Sequence, residues 1–373
     1  MEDERTITDL PVEVLDLIFA YLYLPNKVGL AAAHEKLGKA FAFHSRNQFK
    51  KLTYDYRLRT ESWLVVIREC GPKIEEFDCC GGGLCWNDSI AQAITEYCCN
   101  LESVKILVTT RNRESVNDFL LKMKNSLMSV KLKQHESSSV ITLNSVMELP
   151  NLKKLAINGD LHENVYNIGK LSGLERLTIE YKYYYTYPTI NIITLCDSLC
   201  NLRALKLKRI TLTLPEEAPT RIWYNLESLK LFQCVFPTEL PDCPKLKYLD
   251  LYYNKCTDKD QILKFIVKNG KNIDTMYEKC SPTTFDADGL LQLLRNCPKL
   301  RFLFTRLEDI KLYLGYVSSM VEILRENGVT REDPLQLVVC RRIKWKWIRR
   351  LIPRTSYPEL IDLRYFNDGA DGS

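Results

Sequence analysis

One short phrase recurs along this chain: an apolar residue, two residues of any kind, then apolar, any, apolar. Clear copies begin at Leu101, Leu152, Leu174, Leu202, Leu226 and Leu246, and weaker ones at Ile74, Leu127, Ile273 and Leu300. Neighbouring copies start 20 to 28 residues apart. Each copy predicts a short strand whose first, fourth and sixth residues point into a core. Stretches with helical spacing lie between the strands, at 88–97, 115–123, 190–199 and 286–295. One strand–helix unit cannot bury its apolar face alone, so neighbours must stack side by side. The copy at Ile273 places Glu278 in its sixth, inward position, which predicts an irregular unit there.

Several copies are introduced by a shared phrase: Cys98-Cys99-Asn100, Leu199-Cys200-Asn201, Cys243-Pro244-Lys245 and Cys297-Pro298-Lys299. Over roughly residues 70 to 309 the pattern resembles the Cys-containing leucine-rich repeats that follow F-boxes. Upstream, Leu10 to Leu22 reads LPVEVLDLIFAYL. Its apolar Val14, Leu15, Ile18, Phe19 and Leu22 form one helical stripe. Pro11 suits a first helical turn, and Asp9 is placed to cap it. This segment resembles an F-box, carried by Leu10, Pro11, Glu13, Val14, Leu15, Ile18, Phe19 and Leu22. Val28, Leu30, Ala33, Leu37 and Phe41 follow the pattern more loosely. The family often has a Trp near the end of its third helix, where this chain has Phe41 and Phe43. Without the resemblance, the same helix reads as an amphipathic cap on the repeats.

The expected fold class is therefore α/β: a short all-helical F-box followed by a curved leucine-rich-repeat solenoid of strand–helix units. The expected boundaries are an F-box over 5–52, a connecting helix over 53–73 that includes Trp63, repeats over 74–309, and a C-terminal cap over 310–373.

Composition narrows the function classes. Hydrophobic residues make up 46% and charged residues 27%, as in a soluble globular protein, and the formal charge of +5 is too mild to argue for nucleic acid. Fourteen Cys without a signal-peptide pattern suggest reduced thiols, hence a cytoplasmic or nuclear protein. No apolar run approaches the roughly 20 residues that cross a bilayer. Cys79, Cys80, Cys85, Cys98 and Cys99 lack the paired spacing of a zinc knuckle. Gly81-Gly82-Gly83 marks a loop without the ending of a phosphate loop. The chain has only four His, none in a recognisable triad. No catalytic residue, metal or cofactor is expected, and the chain is not read as an enzyme.

Strand alternation sends the third, fifth and seventh residues of each copy outward. These include Glu76, Asp78, Lys105, Lys131, Lys133, Lys154, Arg176, Lys206, Lys208 and Lys230, then Tyr248, Asp250, Tyr252, Tyr277, Phe302 and Phe304. The outward, concave face thus has a basic middle and an aromatic C-terminal end. A basic face suits an acidic or phosphorylated ligand, and clustered aromatics suit an interface. Solvated Lys on strands also serves solubility alone. The run from Tyr181 to Pro188 reads either as a contact loop or as rings packed on the next repeat. The segment 341–350, RRIKWKWIRR, could meet phosphates, acidic lipids or an acidic partner. Its Ile343, Trp347 and Leu351, at i, i+4 and i+8, favour a capping helix with a solvated basic face.

The resemblance implies a substrate-recognition subunit of a cullin-RING (SCF-type) ubiquitin ligase. Adaptor binding then falls on Leu10, Pro11, Leu15, Ile18, Phe19 and Leu22. The partners are a Skp-family adaptor and, through it, the cullin-RING scaffold. An unidentified target, acidic or phosphorylated, falls on Lys131, Lys206, Lys230, Tyr248, Tyr277 and Phe302. Neither a membrane nor nucleic acid is expected as partner. The rival reading is a non-ligase leucine-rich-repeat scaffold or nucleic-acid-associated protein.

Overall fold

The computed structural model describes residues 6–54, 58–80, 86–135, 143–160, 163–182, 187–213, 222–236, 240–256, 259–281, 285–308 and 310–366. The chain divides into two compact units, Met1–Leu171 and Ser172–Ser373.

The first unit begins with three helices, α1 (Val12–Tyr21), α2 (Leu24–Ala33) and α3 (Glu35–His44). Pro11 immediately precedes α1, and its carbonyl accepts the N–H groups of Val14 and Leu15, each at 3.1 Å. Asp9 does not cap α1 as expected. Its carboxylate instead accepts the Thr6 N–H at 2.7 Å and closes a single 3-10 turn, Ile7–Asp9. Leu10 is extended between that turn and α1, which leaves Asp9 upstream of the free amides of α1. Leu15, Phe19, Val28, Leu37 and Phe41 are the buried core of the three helices, with the Phe19 and Phe41 rings 5.7 Å apart. His44 ties the helices together. Its Nδ1–H donates to Asp16 of α1 at 2.6 Å, and its Nε2 accepts from Lys27 of α2 at 2.8 Å.

Strand and helix then alternate: β1 (Lys51–Thr53), α4 (Thr60–Cys70), β2 (Glu76–Asp78), α5 (Asp88–Tyr97), β3 (Ser103–Val108), α6 (Arg113–Lys122), β4 (Ser129–Gln134), α7 (Asn144–Met147) and β5 (Lys154–Asn158). Each strand pairs with the next in parallel, in the order β1-β2-β3-β4-β5. The inward fourth and sixth residues, such as Val104 with Ile106 and Val130 with Leu132, are at most 2% exposed. Asn87 caps α5 by accepting the Ile90 N–H at 2.9 Å. Gly71 follows α4 because the next repeat comes so close. A Cβ there would lie 2.6 Å from the carbonyl oxygen of Tyr97.

The second unit continues the alternation with β6 (Arg176–Glu180), β7 (Thr189–Asn191), α8 (Ile192–Cys196), β8 (Ala204–Lys208), β9 (Thr211–Thr213), β10 (Ser228–Phe232), β11 (Val235–Phe236) and β12 (Tyr248–Cys256). It closes with α9 (Lys259–Asn269), β13 (Thr275–Ser281), α10 (Ala287–Asn296), β14 (Phe302–Thr305), α11 (Leu314–Glu326), β15 (Leu335–Val339), α12 (Arg342–Leu351) and β16 (Ile361–Tyr365). Its main sheet is parallel, in the order β6-β8-β10-β12-β13-β14-β15-β16. The short strands β7, β9 and β11 form a side strip that rejoins β12 at Lys255 and Cys256. The fold is α/β and of leucine-rich-repeat type: one parallel strand per repeat, preceded by N-terminal helices.

Three successive repeats leave the strand through the same backbone twist. Arg209, Gln233 and Tyr253 have φ of 59°, 53° and 56°, a left-handed conformation that non-glycine residues adopt at some cost. Arg209 Nε donates to Gln233 Oε1 at 3.0 Å and so joins two of these turns.

Glu278 does point inward, and it is 1% exposed. Its carboxylate accepts the hydroxyl of Thr305 at 2.9 Å, and Thr305 occupies the same inward position of the next copy. Two polar side chains thus stand where two aliphatic ones would pack. The pairing of β12 with β13 also shifts register between Tyr252 and Lys255. The segment 310–373 was expected to be only a cap, yet it carries two further strands of the ladder. Leu337 pairs in register with Leu303 and with Leu363. Among the described residues, no helix is long and apolar enough to cross a membrane.

Candidate functional site

Two surfaces stand out, one in each unit. In the first unit, α1 is apolar on nearly all sides. Leu15 and Phe19 face the core at 1% and 0% exposure, while Val14, Leu17 and Tyr21 form a second stripe at i, i+3 and i+7, exposed to 38%, 63% and 88%. Tyr23, which precedes α2, is 83% exposed as well. A helix with apolar residues on its outer face is normally covered by something. Of the residues expected to bind an adaptor, Pro11 is exposed and Leu10, Ile18 and Leu22 are half-buried. Leu15 and Phe19 belong to the core. Leu17, Tyr21 and Tyr23 were not singled out in the sequence. For Leu17 and Tyr21 the signal is a second apolar period on the same helix.

In the second unit, parallel register arranges the outward residues in rows. One row runs Lys206, Lys230, Asp250, Tyr277, Phe304, Val338, Arg364. A neighbouring row runs Ser228, Tyr248, Thr275, Phe302, Gln336, Asp362. Thus Lys206, Lys230, Tyr248, Tyr277 and Phe302 share one face. Lys131 is exposed on β4 of the first unit.

Two cations of the basic middle meet carboxylates within the fold. Lys206 pairs with Glu180. Lys230 Nζ lies 4.3 Å from the centre of the Tyr248 ring and faces Asp250. In the first unit Lys105 bridges Glu76 at 2.5 Å and Asp78 at 3.1 Å, and the two carboxylates hold its ammonium well above the usual range. Asp250 carries an orphan: its Oδ1 is buried without a hydrogen-bond partner. Burial pushes its carboxyl up to about 6 against the attraction of Lys230 and Lys206.

The aromatic end is a true concentration of rings. Tyr277 lies 4.9 Å from Phe302 and 5.7 Å from Phe304, and Phe304 lies 5.9 Å from Tyr252 and 5.5 Å from Phe366. These rings, with Val338 and Arg364, line an open cavity of about 360 Å³. Lys279, fully buried, sits 4.8 Å and 4.2 Å from the ring centres of Tyr252 and Tyr253 and donates to both hydroxyls. Val338 on β15, Arg364 on β16 and Phe366 just past β16 lie in the segment that reads as a cap, so the sequence does not place them on this face.

The cysteines act as core residues. Cys79 Sγ donates to the Lys105 carbonyl at 3.3 Å, and burial pushes the thiols of Cys70, Cys98, Cys196 and Cys234 up to about 12. Cys80 is half-buried and Cys99 exposed, whereas Cys85 and Gly81–Gly83 lie outside the described residues. So do Tyr183–Thr186. At the start of their run, Arg209 donates to the carbonyls of Tyr181 and Lys182 at 3.3 Å and 3.1 Å.

No protein-family model and no curated protein matches the chain. Among solved structures it is similar to a chain of the Rad7 and Elc1 complex in yeast, at 16% identity, covering 96% of this chain and 90% of that one with a TM-score of 0.49. It is also similar to an internalin (inlF) from Listeria monocytogenes, at 12% identity, covering 97% and 100% with a TM-score of 0.46. A third likeness is to the mouse RP105/MD-1 complex, at 12% identity, covering 80% and 48% with a TM-score of 0.43. The assignment to the leucine-rich-repeat type rests on the repeat geometry itself.

Proposed function

We propose that this protein is the substrate-recognition subunit of a cullin-RING (SCF-type) ubiquitin ligase, working in cytosol or nucleus. Its N-terminal helices dock on a Skp-family adaptor, and its repeats hold a target protein. The observation that carries this reading is the second apolar stripe of α1, at Val14, Leu17 and Tyr21, on N-terminal helices whose sequence from Leu10 to Leu22 resembles an F-box. The subunit performs no chemistry of its own. It supplies proximity between the target and the ubiquitin-charged enzyme. The adaptor surface is then Leu10, Pro11, Ile18 and Leu22 together with the exposed stripe, while Leu15 and Phe19 hold that surface in shape. Target binding falls on the aromatic cavity of the second unit, where Tyr277 and Phe302 are the anchors and Lys230 flanks them.

The test is co-expression with a Skp-family adaptor, measuring co-purification and soluble yield. A one-to-one complex that is lost in Leu17→Asp and Tyr21→Asp, with the fold retained, is expected. If wild type forms no complex, or both variants bind as wild type does, the ligase reading fails and the scaffold reading stands.

A further inference from the structure

The helix α12 does not sit as its sequence period predicts. Ile343, Trp347 and Leu351 were expected to form its buried side. Instead Ile348 and Leu351 are buried, at 1% and 9% exposure, while Ile343 is 71% and Trp347 51% exposed. Contacts to Ile310 and Tyr365, outside the helix, fix this rotation. Lys344 Nζ donates to the Ile310 carbonyl at 2.5 Å, Trp345 lies 5.7 Å from the Tyr365 ring, and the Arg349 guanidinium lies 5.1 Å from the centre of the Trp345 ring. The outer face is therefore an Ile and a Trp one turn apart, bordered by exposed Arg342, Lys346 and Arg350. Residues 341–354 hold seven cations and no carboxylate. Arg341 pairs with Glu308, so a strongly positive surface remains beside the apolar pair.

We propose that α12 is a peripheral docking helix for a membrane surface rich in anionic lipid. It lies in the plane of the bilayer, with Ile343 and Trp347 at headgroup level and Arg342, Lys346 and Arg350 on the lipid anions. The charge calls for an anionic partner, and the apolar pair decides which kind. The phosphates of a nucleic acid take the cations but leave Ile343 in water. The headgroup–acyl boundary takes both, because Trp favours that zone and basic side chains reach past it to the headgroups. The earlier expectation of no membrane partner rests on the lack of a spanning run, and a helix lying on the surface needs none. This inference does not depend on the ligase reading.

The test is flotation of the full chain with phosphatidylcholine vesicles, with and without phosphatidylserine, at low and high salt. Binding to the mixed vesicles only, weakened by salt, is expected. Lys346→Ala should weaken binding about five-fold, the effect of one cation near an anionic surface. Trp347→Ala should weaken it on the order of ten-fold through lost apolar burial. Both side chains are exposed, and an unchanged melting temperature checks that the fold is intact. Equal binding to both vesicle types, no binding to either, or binding indifferent to Trp347→Ala overturns the proposal. A chain that stays off the vesicles but binds single-stranded RNA through Lys346 overturns it in favour of nucleic acid.

Discussion

Asn254 holds the backbone of Cys234 from one repeat away: its side-chain oxygen accepts the Cys234 N–H at 2.8 Å, with both residues fully buried. The Asn254 Nδ2 donates to the Leu231 carbonyl at 2.7 Å, so one amide replaces ladder bonds where the chain turns out of β10. Asn254→Ala leaves a donor and an acceptor unpaired in the core. It should cost about 2–4 kcal/mol, read as a lower urea midpoint with unchanged slope.

Two leucines on α1 separate folding from docking. Leu15→Ala, in the core, should destabilise the first unit by about 2–5 kcal/mol. Leu17→Ala, on the outer stripe, should stay within about 0.5 kcal/mol of wild type in a thermal melt. Adaptor capture by Leu17→Ala should nonetheless fall, as measured by pull-down.

Asp250 makes the second unit sensitive to pH. Its carboxyl is held at about 6 in the fold against an ordinary 3.8, so the folded state binds its proton more readily than the unfolded chain does. The contribution of Asp250 is therefore intact below about pH 4 and is lost as pH rises through about 6. Relative to wild type, Asp250→Asn should gain about 1–2 kcal/mol between those limits, after a discount for partial solvation. Urea melts across that range measure it, and a constant offset between the two proteins would contradict the assignment.

The aromatic cavity divides in the same manner. Tyr277→Ala and Phe302→Ala remove half-buried rings and should weaken target capture on the order of ten-fold or more, as hot-spot residues do. Phe304 is only 4% exposed and packs with Val338 and Cys340. Phe304→Ala should cost about 3–5 kcal/mol of stability as well, so its binding loss must be read alongside a melt.

The repeats were legible in the sequence because strand alternation is strict: Leu229 and Leu231 point inward while Ser228, Lys230 and Phe232 point outward. The helices were legible for a similar reason, and 88–97 coincides with α5. The alternation could not say which cations remain free once folded. Glu180 comes from a neighbouring repeat to meet Lys206, and no local pattern announces that distance. Helix rotation was also hidden. In α12 both Trp347 and Ile348 fit an apolar stripe, and the packing of Lys344 against Ile310 decides between them. Leu335–Val339 and Ile361–Tyr365 lack the introductory phrase of earlier copies, so in the sequence they fall within the C-terminal cap and not among the repeat strands.

The parallel register of the second unit has an evolutionary consequence. Each strand supplies its outward residues to fixed cells of a grid, and the residues beneath them are a buried layer, mostly aliphatic, with the Glu278–Thr305 pair as its polar exception. A substitution at Lys230, Tyr277 or Phe302 rewrites one cell without disturbing its neighbours' backbone. Selection can thus redraw this face one side chain at a time, while the scaffold that folds it stays the same.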